Sequence, residues 1–510
     1  MNRTIQIASG RIRGVAGNNP AFTVFKGIPF AQPPVGELRW KPPVAPKPWE
    51  GVLDCVRFRD FCTQIPLPQG SLYQEEFFPV PFECSEDCLY LSVWTPSQTF
   101  DPADKLPVMV WYHGGAYVQG SDHEPEFDGE AFNRNGVILV TVPYRLGVFG
   151  YLAHPELSKQ NGGVSGNYAL LDQIFALEWV QKNIACFGGD PDNVTIFGQS
   201  AGGGSVQAIC ASPLAKGLFH KVIIQSANAL QTLGRAVSLK DAEEFGAGYG
   251  RYLNKSLAEM KAMSDGELLH TAADYVAQCE NAVALGLRFL PNVDGHALVD
   301  DPGAMFTRGD VGDYPFMMGS VAGDSGLFGF PEVPHFDQFR DALRLRYFDH
   351  ADACLDALGV HDDESLVAGA KERAQASAIC ASEAFARNRA RLGHSPAYIY
   401  HFNRDIPGDD HPGAFHSSEL WYVFGTVYRC HRPFTGVDFD LSRAMNRYWC
   451  NFAKTGNPNG DGLPVWKPHT PETPCHMLFN EHEMRSREAG ENPTLARMAD
   501  FTIGLVTGTL

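Results

Sequence analysis

The segment around Ser200 constrains the fold more than any other part of the chain. Residues 193–197 (NVTIF) form a short apolar run typical of a buried strand, and residues 198–202 (GQSAG) follow it directly. G-x-S-x-G between a strand and a helix predicts a sharp turn that leaves no room for flanking side chains. The serine then stands at a helix N-terminus, where backbone N–H groups favour developing negative charge. We therefore expect Ser200 to be a nucleophile.

Apolar strand-like runs alternate with helical patterns along the chain, which predicts an α/β fold with a mostly parallel central sheet and helices on both faces. The predicted strands cover residues 108–112, 137–142, 194–197, 221–225, 316–319 and 397–402, and a clear helix covers 170–183. Two stretches, at about 238–290 and 335–386, are helical in composition and poor in strand runs. We expect both to be helical insertions over the active site, at the sheet edge where such folds bind ligands. Since no linker marks a boundary, residues 1–510 are predicted to be a single catalytic domain.

A second glycine-rich turn supplies a chemical partner for the serine. The apolar run 108–112 leads into His113, Gly114 and Gly115. Acyl transfer passes through a tetrahedral intermediate whose charged oxygen needs preorganised backbone N–H donors, and glycines let the backbone approach it closely. The N–H groups of Gly114, Gly115 and Ala201 are therefore the expected oxyanion hole, an arrangement described for lipases and esterases.

Composition excludes several classes of partner. The formal net charge of −18 disfavours binding to nucleic acid or to an anionic membrane surface. No run of residues approaches the roughly 20 apolar positions that a membrane span needs. The N-terminus lacks a secretory pattern, which predicts a cytoplasmic protein unless a leader has been removed. Twelve cysteines in 510 residues are too dilute for a disulfide scaffold. No Cys/His spacing indicates zinc, so neither a metal nor an organic cofactor is expected.

The motifs, taken together and in order, resemble the type-B carboxylesterase family, which also contains cholinesterases and some fungal lipases. The resemblance covers nearly the whole chain and includes residues 27–36 (GIPFAQPPVG), 85–91 (SEDCLYL), 167–173 (NYALLDQ), 187–191 (FGGDP), 448–449 (YW) and 452–459 (FAKTGNPN). It implies the α/β-hydrolase fold and a serine carboxylesterase that works through an acyl-enzyme. One departure is Gln199, where the family usually has Glu. Glutamine keeps the shape and loses the charge, so little effect on the chemistry is expected.

A serine hydroxyl needs a base, and the base needs an orienting acid, in the chain order Ser, acid, His. Among seventeen histidines, His416 lies in residues 413–420 (GAFHSSEL), which resemble the family's histidine loop. His411, His113 and His401 are the rivals considered. The acid is predicted to be Asp324, which follows the strand at 316–319, although the family usually has Glu and then Gly there. Asp310 and Asp313 stay open as alternatives, but both precede that strand, at its other end.

The resemblance implies several supporting residues. Ser226 matches a serine beside the catalytic histidine, and Glu419 matches a buried acid just after it. Cys62 and Cys88 match the pair that the family commonly joins by a disulfide, although reduced thiols also fit this chain.

Substrate preference is predicted from the loop at residues 63–86, which is rich in aromatic residues but has no tryptophan. Cholinesterases use a tryptophan in this region to hold a quaternary ammonium by cation–π attraction, so choline esters are not expected. Phe78 and Trp421 are the candidate substrate-binding residues, and small to medium, mainly neutral esters are the expected substrates. Two alternatives are an acyl hydrolase or transferase acting on amides, carbamates or thioesters, and a non-catalytic binding protein, which the intact Ser200 disfavours. The chain is expected to act as a monomer or homodimer on a small-molecule ester.

Overall fold

The computed structural model describes residues 3–231, 237–279, 289–324 and 335–510. Its largest sheet, within those residues, has eleven strands in the order β18-β17-β16-β15-β12-β11-β9-β10-β8-β4-β3. These strands are β3 (Val15–Ala16), β4 (Thr23–Pro29), β8 (Tyr90–Thr95), β9 (Leu106–Tyr112), β10 (Ile138–Val142), β11 (Gly189–Gln199), β12 (Lys221–Gln225), β15 (Phe316–Val321), β16 (Tyr398–Phe402), β17 (Cys475–Phe479) and β18 (Met484–Glu488). Six successive pairs from β10 to β17 are parallel, and the pairs at both edges are antiparallel.

Small sheets and hairpins account for the remaining described strands. They are β1 (Thr4–Ile7), β2 (Gly10–Arg13), β5 (Val52–Asp54), β6 (Phe61–Cys62), β7 (Cys84–Ser85), β13 (Val237–Ser238) and β14 (Asn292–Val293). The pairs β6–β7 and β13–β14 are both parallel.

The helices of the described residues cover both faces of the large sheet. They are α1 (Leu72–Phe77), α2 (Glu130–Arg134), α3 (Gly147–Tyr151), α4 (Pro155–Gln160), α5 (Tyr168–Asn183), α6 (Ala201–Ala211), α7 (Leu239–Leu253), α8 (Leu257–Ala262), α9 (Asp265–Ala277), α10 (Pro302–Arg308), α11 (Phe336–Tyr347), α12 (Ala351–Leu358), α13 (Asp363–Ala368), α14 (Ala370–Arg391), α15 (Leu420–Val423), α16 (Gly436–Thr455) and α17 (Pro493–Thr507).

Strand β9 shows why both faces of the sheet are covered. Its side chains alternate between the faces, as the two-residue period of a strand requires. Val108 and Val110 join one apolar core with residues of α5 and α6, whereas Met109 and Trp111 join a second core with residues of α16. A strand that is buried on both faces has a nearly continuous apolar sequence, and residues 106–112 show this pattern.

The predicted mostly parallel sheet is confirmed, and the predicted strands fall within two residues of the observed ones except at β11, which begins earlier. The stretch predicted as helical at about 238–290 contains α7, α8 and α9, and its residues 280–288 lie outside the described residues. The stretch at 335–386 contains α11 to α14, the last of which continues to Arg391. None of the described helices is long and apolar enough to cross a membrane.

Cys62 and Cys88 lie side by side. Both are buried, and a hydrogen bond between the two thiols helps to raise the pKa of Cys62, together with its burial. The structure therefore brings together the pair that the family resemblance singled out, without a covalent bond between them.

Candidate active site

Ser200 stands at the sharp turn between β11 and α6. Its backbone has φ 56° and ψ −124°, a conformation that L-residues rarely adopt, and its N–H donates to the Gln225 carbonyl. The neighbouring glycines are required by close approach of the backbone. A Cβ on Gly202 would lie 2.0 Å from the Tyr112 carbonyl oxygen, and one on Gly198 would lie 2.4 Å from the Gly202 oxygen. The predicted strand–turn–helix around Ser200 therefore has the geometry that G-x-S-x-G favours.

Strained backbone is concentrated around this turn. Of the eleven described non-glycine residues with positive φ, five lie in the loops that meet there: Ala116, Tyr117, Ser200, Ser226 and Ser417. Each such conformation costs on the order of 1–3 kcal/mol and persists only where the surrounding structure enforces it. Strain of this kind is typical of active sites.

We expect Ser200→Gly to be more stable than Ser200→Ala, although both lose the hydroxyl. At φ 56° glycine relieves the strain that alanine keeps, and this gain exceeds its extra unfolded-state entropy by about 1 kcal/mol. Denaturant unfolding of the two variants measures the difference. Equal stabilities would show that the turn is not strained.

The glycine-rich loop after β9 brings backbone N–H groups close to Ser200. The N–H groups of Gly114, Gly115 and Ala201 have no acceptor among the described residues. A Cβ on Gly114 would lie 3.3 Å from the Ser200 Cβ, so this loop runs directly against the turn. Gly115 has φ +100°, and a Cβ there would lie 2.0 Å from the Gln119 carbonyl oxygen. Backbone donors without partners, next to a strained serine, can stabilise an oxyanion.

Gly115→Ala should lower kcat by about 100-fold, the effect of losing one oxyanion donor. The added methyl collides with backbone, so the loop must move and its N–H groups must turn away from Ser200. Steady-state kinetics on a neutral ester measures the loss. Gly136→Ala is the matched control, because Gly136 also has positive φ (+72°) but open space where the methyl would go. A normal kcat in Gly115→Ala would contradict this role.

Asp324 and His416 meet at the same edge of the sheet. Asp324 follows β15, His416 lies in the long connection after β16, and their Oδ1 and Nδ1 atoms are 2.5 Å apart. Both residues are buried. A hydrogen bond of 2.7 Å from the Gly323 N–H to the Ala414 carbonyl joins the two loops, and a Cβ on Gly323 would lie 2.4 Å from that oxygen. The acid and the imidazole are therefore held together by backbone as well as by their own contact.

Charge at the site favours the protonated imidazole. Burial alone would lower the pKa of His416, but the charge and hydrogen bond of Asp324 and the charge of Glu419 raise it above its ordinary value. Glu419 is fully buried, and its burial together with the charge of Asp324 raises its pKa to about 7. Its Oε1 accepts a 3.3 Å hydrogen bond from the Gln225 amide. The carboxylate of Asp324 beside His416 stabilises the positive charge that a base acquires when it takes a proton.

The other imidazole nitrogen faces the serine turn through Gln199. The Gln199 amide nitrogen lies 3.2 Å from His416 Nε2, and Gln199 is the residue directly before Ser200. The Ser200 hydroxyl makes no hydrogen bond within the described part of the chain. Catalytic hydrogen bonds are often long in the absence of substrate and form only in the complex.

The rival residues have other partners or surroundings than the contact between Asp324 and His416. Asp313 accepts hydrogen bonds from Arg389 and Ser395, and Asp310 pairs with Arg308. His113 Nδ1 lies 2.8 Å from the Gly114 carbonyl oxygen, and burial lowers the pKa of His113 to about 4. His401 is buried in β16, with a pKa lowered to about 3, and His411 is exposed. None of these side chains is paired with His416 in the described contacts.

The two candidate substrate-binding residues differ in accessibility. Trp421 is 1% exposed, stacks on Phe77, and donates its Nε1 hydrogen to Glu76. Its ring therefore offers almost no surface of its own to a ligand. Phe78 is half-buried beside Phe61.

The half-buried Tyr73, which the prediction did not single out, packs edge-on against Phe415, the residue before His416, with ring centroids 6.4 Å apart. Its pKa is raised by burial and by the charges of Asp324 and Glu419. No sequence pattern marks this residue, because its approach to the carboxylates depends on how α1 packs.

One group of three potential metal ligands occurs among the described residues: Glu76, Cys430 and His431. Arg432 donates to Glu76 at 2.8 Å, and its positive charge opposes a cation there. This donor set does not include any of the residues around Ser200.

A cavity of about 420 Å³ lies beside the glycine-rich loop. Its walls include Val118 from that loop, Ile65 and Leu67 from the aromatic-rich loop, and Leu269 from α9. Most of its lining is aliphatic, so it suits uncharged, apolar groups.

Comparisons with known proteins agree with this geometry. The sequence model described as "Carboxylesterase family" matches residues 1–497. The para-nitrobenzyl esterase of Bacillus subtilis (strain 168) is 35% identical over 481 residues, which cover 91% of this chain and 92% of that protein. The fumonisin B1 esterase of Sphingopyxis macrogoltabida is 34% identical over 478 residues, which cover 90% of this chain and 83% of that protein. A solved structure of a PNB esterase superposes with a TM-score of 0.81 at 31% identity, covering 98% of this chain and 99% of that one. The chain therefore belongs to the carboxylesterase family, whose members are α/β-hydrolases that cleave carboxylic esters.

Proposed function

We propose that Ser200, His416 and Asp324 form the catalytic triad of this esterase. Ser200 Oγ attacks the ester carbonyl while His416 Nε2 takes the hydroxyl proton, and Asp324 holds Nδ1–H and stabilises the imidazolium. The imidazolium then protonates the departing alcohol, which leaves the acyl group on Ser200. Water, deprotonated by His416, next attacks the acyl-enzyme and releases the carboxylic acid. The observation that carries this assignment is the buried 2.5 Å contact between His416 Nδ1 and Asp324 Oδ1.

The N–H groups of Gly114, Gly115 and Ala201 are proposed to hold the oxyanion in both steps. Their support is that the described structure gives these three donors no acceptor of their own. Donors that are already oriented need no reorganisation when the carbonyl oxygen becomes charged, which is why they lower the barrier.

Small to medium, mainly neutral esters are the proposed substrates. A cavity of about 420 Å³ supports this proposal, because its mostly aliphatic walls favour an uncharged acyl or alcohol group. Its lining reaches the loop after Gly115 at Val118 and does not include Ser200 or His416. Phe78 is proposed as a contact residue, and Trp421 as a residue that shapes the wall from behind Phe77.

A panel of p-nitrophenyl esters of increasing acyl length tests this function. We expect turnover of short and medium esters and a decline for long ones. A phosphonate inhibitor should add once per chain, and peptide mass spectrometry should locate the adduct on Ser200. A folded protein that turns over none of the esters, or an adduct on another residue, would overturn the proposal.

We also propose a single catalytic domain spanning residues 1–510, with helical insertions at about 238–290 and 335–386.

The formal net charge of −18 supports the absence of nucleic-acid partners. The location is proposed to be cytoplasmic, in keeping with twelve cysteines in 510 residues, which are too dilute for a disulfide scaffold. The active form is proposed to be a monomer or homodimer, which analytical ultracentrifugation distinguishes.

A further inference from the structure

The contact between Gln199 and His416 joins two buried side chains. Gln199 is 1% exposed, so its amide cannot turn to water. Its nitrogen lies 3.2 Å from His416 Nε2, and a Cβ on Gly114 would lie 3.0 Å from its Oε1. The amide is therefore confined between the imidazole and the oxyanion loop, directly beside Ser200.

The direction of this hydrogen bond follows from the other side of the ring. Because Asp324 accepts at Nδ1, the neutral imidazole carries its proton there and presents a lone pair at Nε2. An amide N–H donates to that lone pair, whereas an amide oxygen would be repelled by it. Gln199 thus favours the same tautomer that a general base needs in order to accept the Ser200 proton.

We propose that Gln199 is a positioning residue for His416, which holds Nε2 in its proton-accepting form and, being uncharged, keeps the enzyme active at lower pH than a carboxylate there would allow. The proposal rests on the assignment of His416 as the general base.

The pH dependence follows from the charges around the imidazole. Asp324 and Glu419 already favour its protonated form, and their effect raises the pKa of His416. The base works only when neutral, so kcat/KM falls as the pH drops through the pKa of His416. A carboxylate at position 199 would add a further negative charge and extend that loss to higher pH. An amide adds none.

The experiment compares kcat/KM of the wild type, Gln199→Glu and Gln199→Met on one p-nitrophenyl ester, across about pH 5 to 9. In Gln199→Glu we expect the acid limb to move to higher pH. In Gln199→Met we expect a smaller upward move, because the hydrogen bond that favours the neutral imidazole is lost without a charge being added, and a plateau lowered by about tenfold. Gln207→Met is the matched control: Gln207 is equally buried in α6 and donates to Ala229 instead of to the site.

Two results would overturn the proposal. One is an unchanged pH profile in both Gln199 variants. The other is a Gln199→Met variant faster than the wild type, which would mean that the amide competes with Ser200 for Nε2. An inactive wild type would instead contradict the triad assignment, so the two failures are distinguishable. Nuclear magnetic resonance of the His416 ring nitrogens in Ser200→Ala gives an independent readout. Adding Gln199→Met to that protein should reduce the Nδ1–H tautomer.

Discussion

Ser200→Ala should lower kcat by about 10⁵-fold or more while the protein stays folded. The substitution removes only the hydroxyl group, and without its oxygen no covalent acyl-enzyme can form. The backbone turn and the unpartnered N–H donors of the oxyanion loop remain, so residual activity above the uncatalysed rate is expected. Stopped assays with concentrated enzyme measure a loss of this size.

A variant one turn further along the same helix provides the control. Ser205 is buried in α6, and its hydroxyl accepts a 2.9 Å hydrogen bond from Gln173. Ser205→Ala should lose about 1 kcal/mol of stability and keep its activity. Stoichiometric labelling by a phosphonate should persist in Ser205→Ala and vanish in Ser200→Ala. Residual labelling of Ser200→Ala would point to a different nucleophile.

Asp324→Asn should lower kcat by about 10⁴-fold. The shape at position 324 is kept, but an amide can donate to His416 Nδ1, which stabilises the tautomer with its proton on Nε2. That tautomer cannot accept the Ser200 proton, and the imidazolium also loses its counter-charge. Steady-state kinetics with a thermal melt of each variant separates this effect from unfolding.

The alternative acids provide matched controls. Asp313 lies before β15 and pairs with Arg389 at 2.6 Å, so Asp313→Asn should affect stability and leave kcat unchanged. Asp324→Glu should recover much of the activity, because the family usually has Glu at the acid position. Full activity in Asp324→Asn, or a large loss in Asp313→Asn, would reassign the acid.

Much of the fold and of the triad is predictable from local patterns. Parallel strands place their carboxyl ends at one edge, so the residues that follow β9, β11 and β15 had to meet once those strands were identified. The carboxyl end of β15 then selects Asp324, which follows the strand, over Asp313, which lies at its opposite end. The glycines around Ser200 mark the turn because no side chain fits beside the Tyr112 carbonyl.

Other features depend on packing that no short pattern encodes. Trp421 follows His416 closely in sequence and was predicted to contact substrate, but its ring is 1% exposed behind Phe77. The approach of Tyr73 to Asp324 depends on where α1 packs. The Gln199 amide was expected to matter little, since only the folded chain shows that it lies against His416 Nε2. Its effect stays a prediction until the pH profiles are measured.

At position 200, the substitution that relieves the backbone strain and raises thermal stability also removes the hydroxyl that turnover needs. Random mutagenesis that selects only for survival of heating would enrich glycine at position 200, since the fold relaxes when the side chain is absent. Directed evolution of this enzyme toward harsh industrial conditions therefore needs a screen that scores product formation after the heat step. A library ranked only by the amount of folded protein that remains after heating would become enriched in stable but inactive variants.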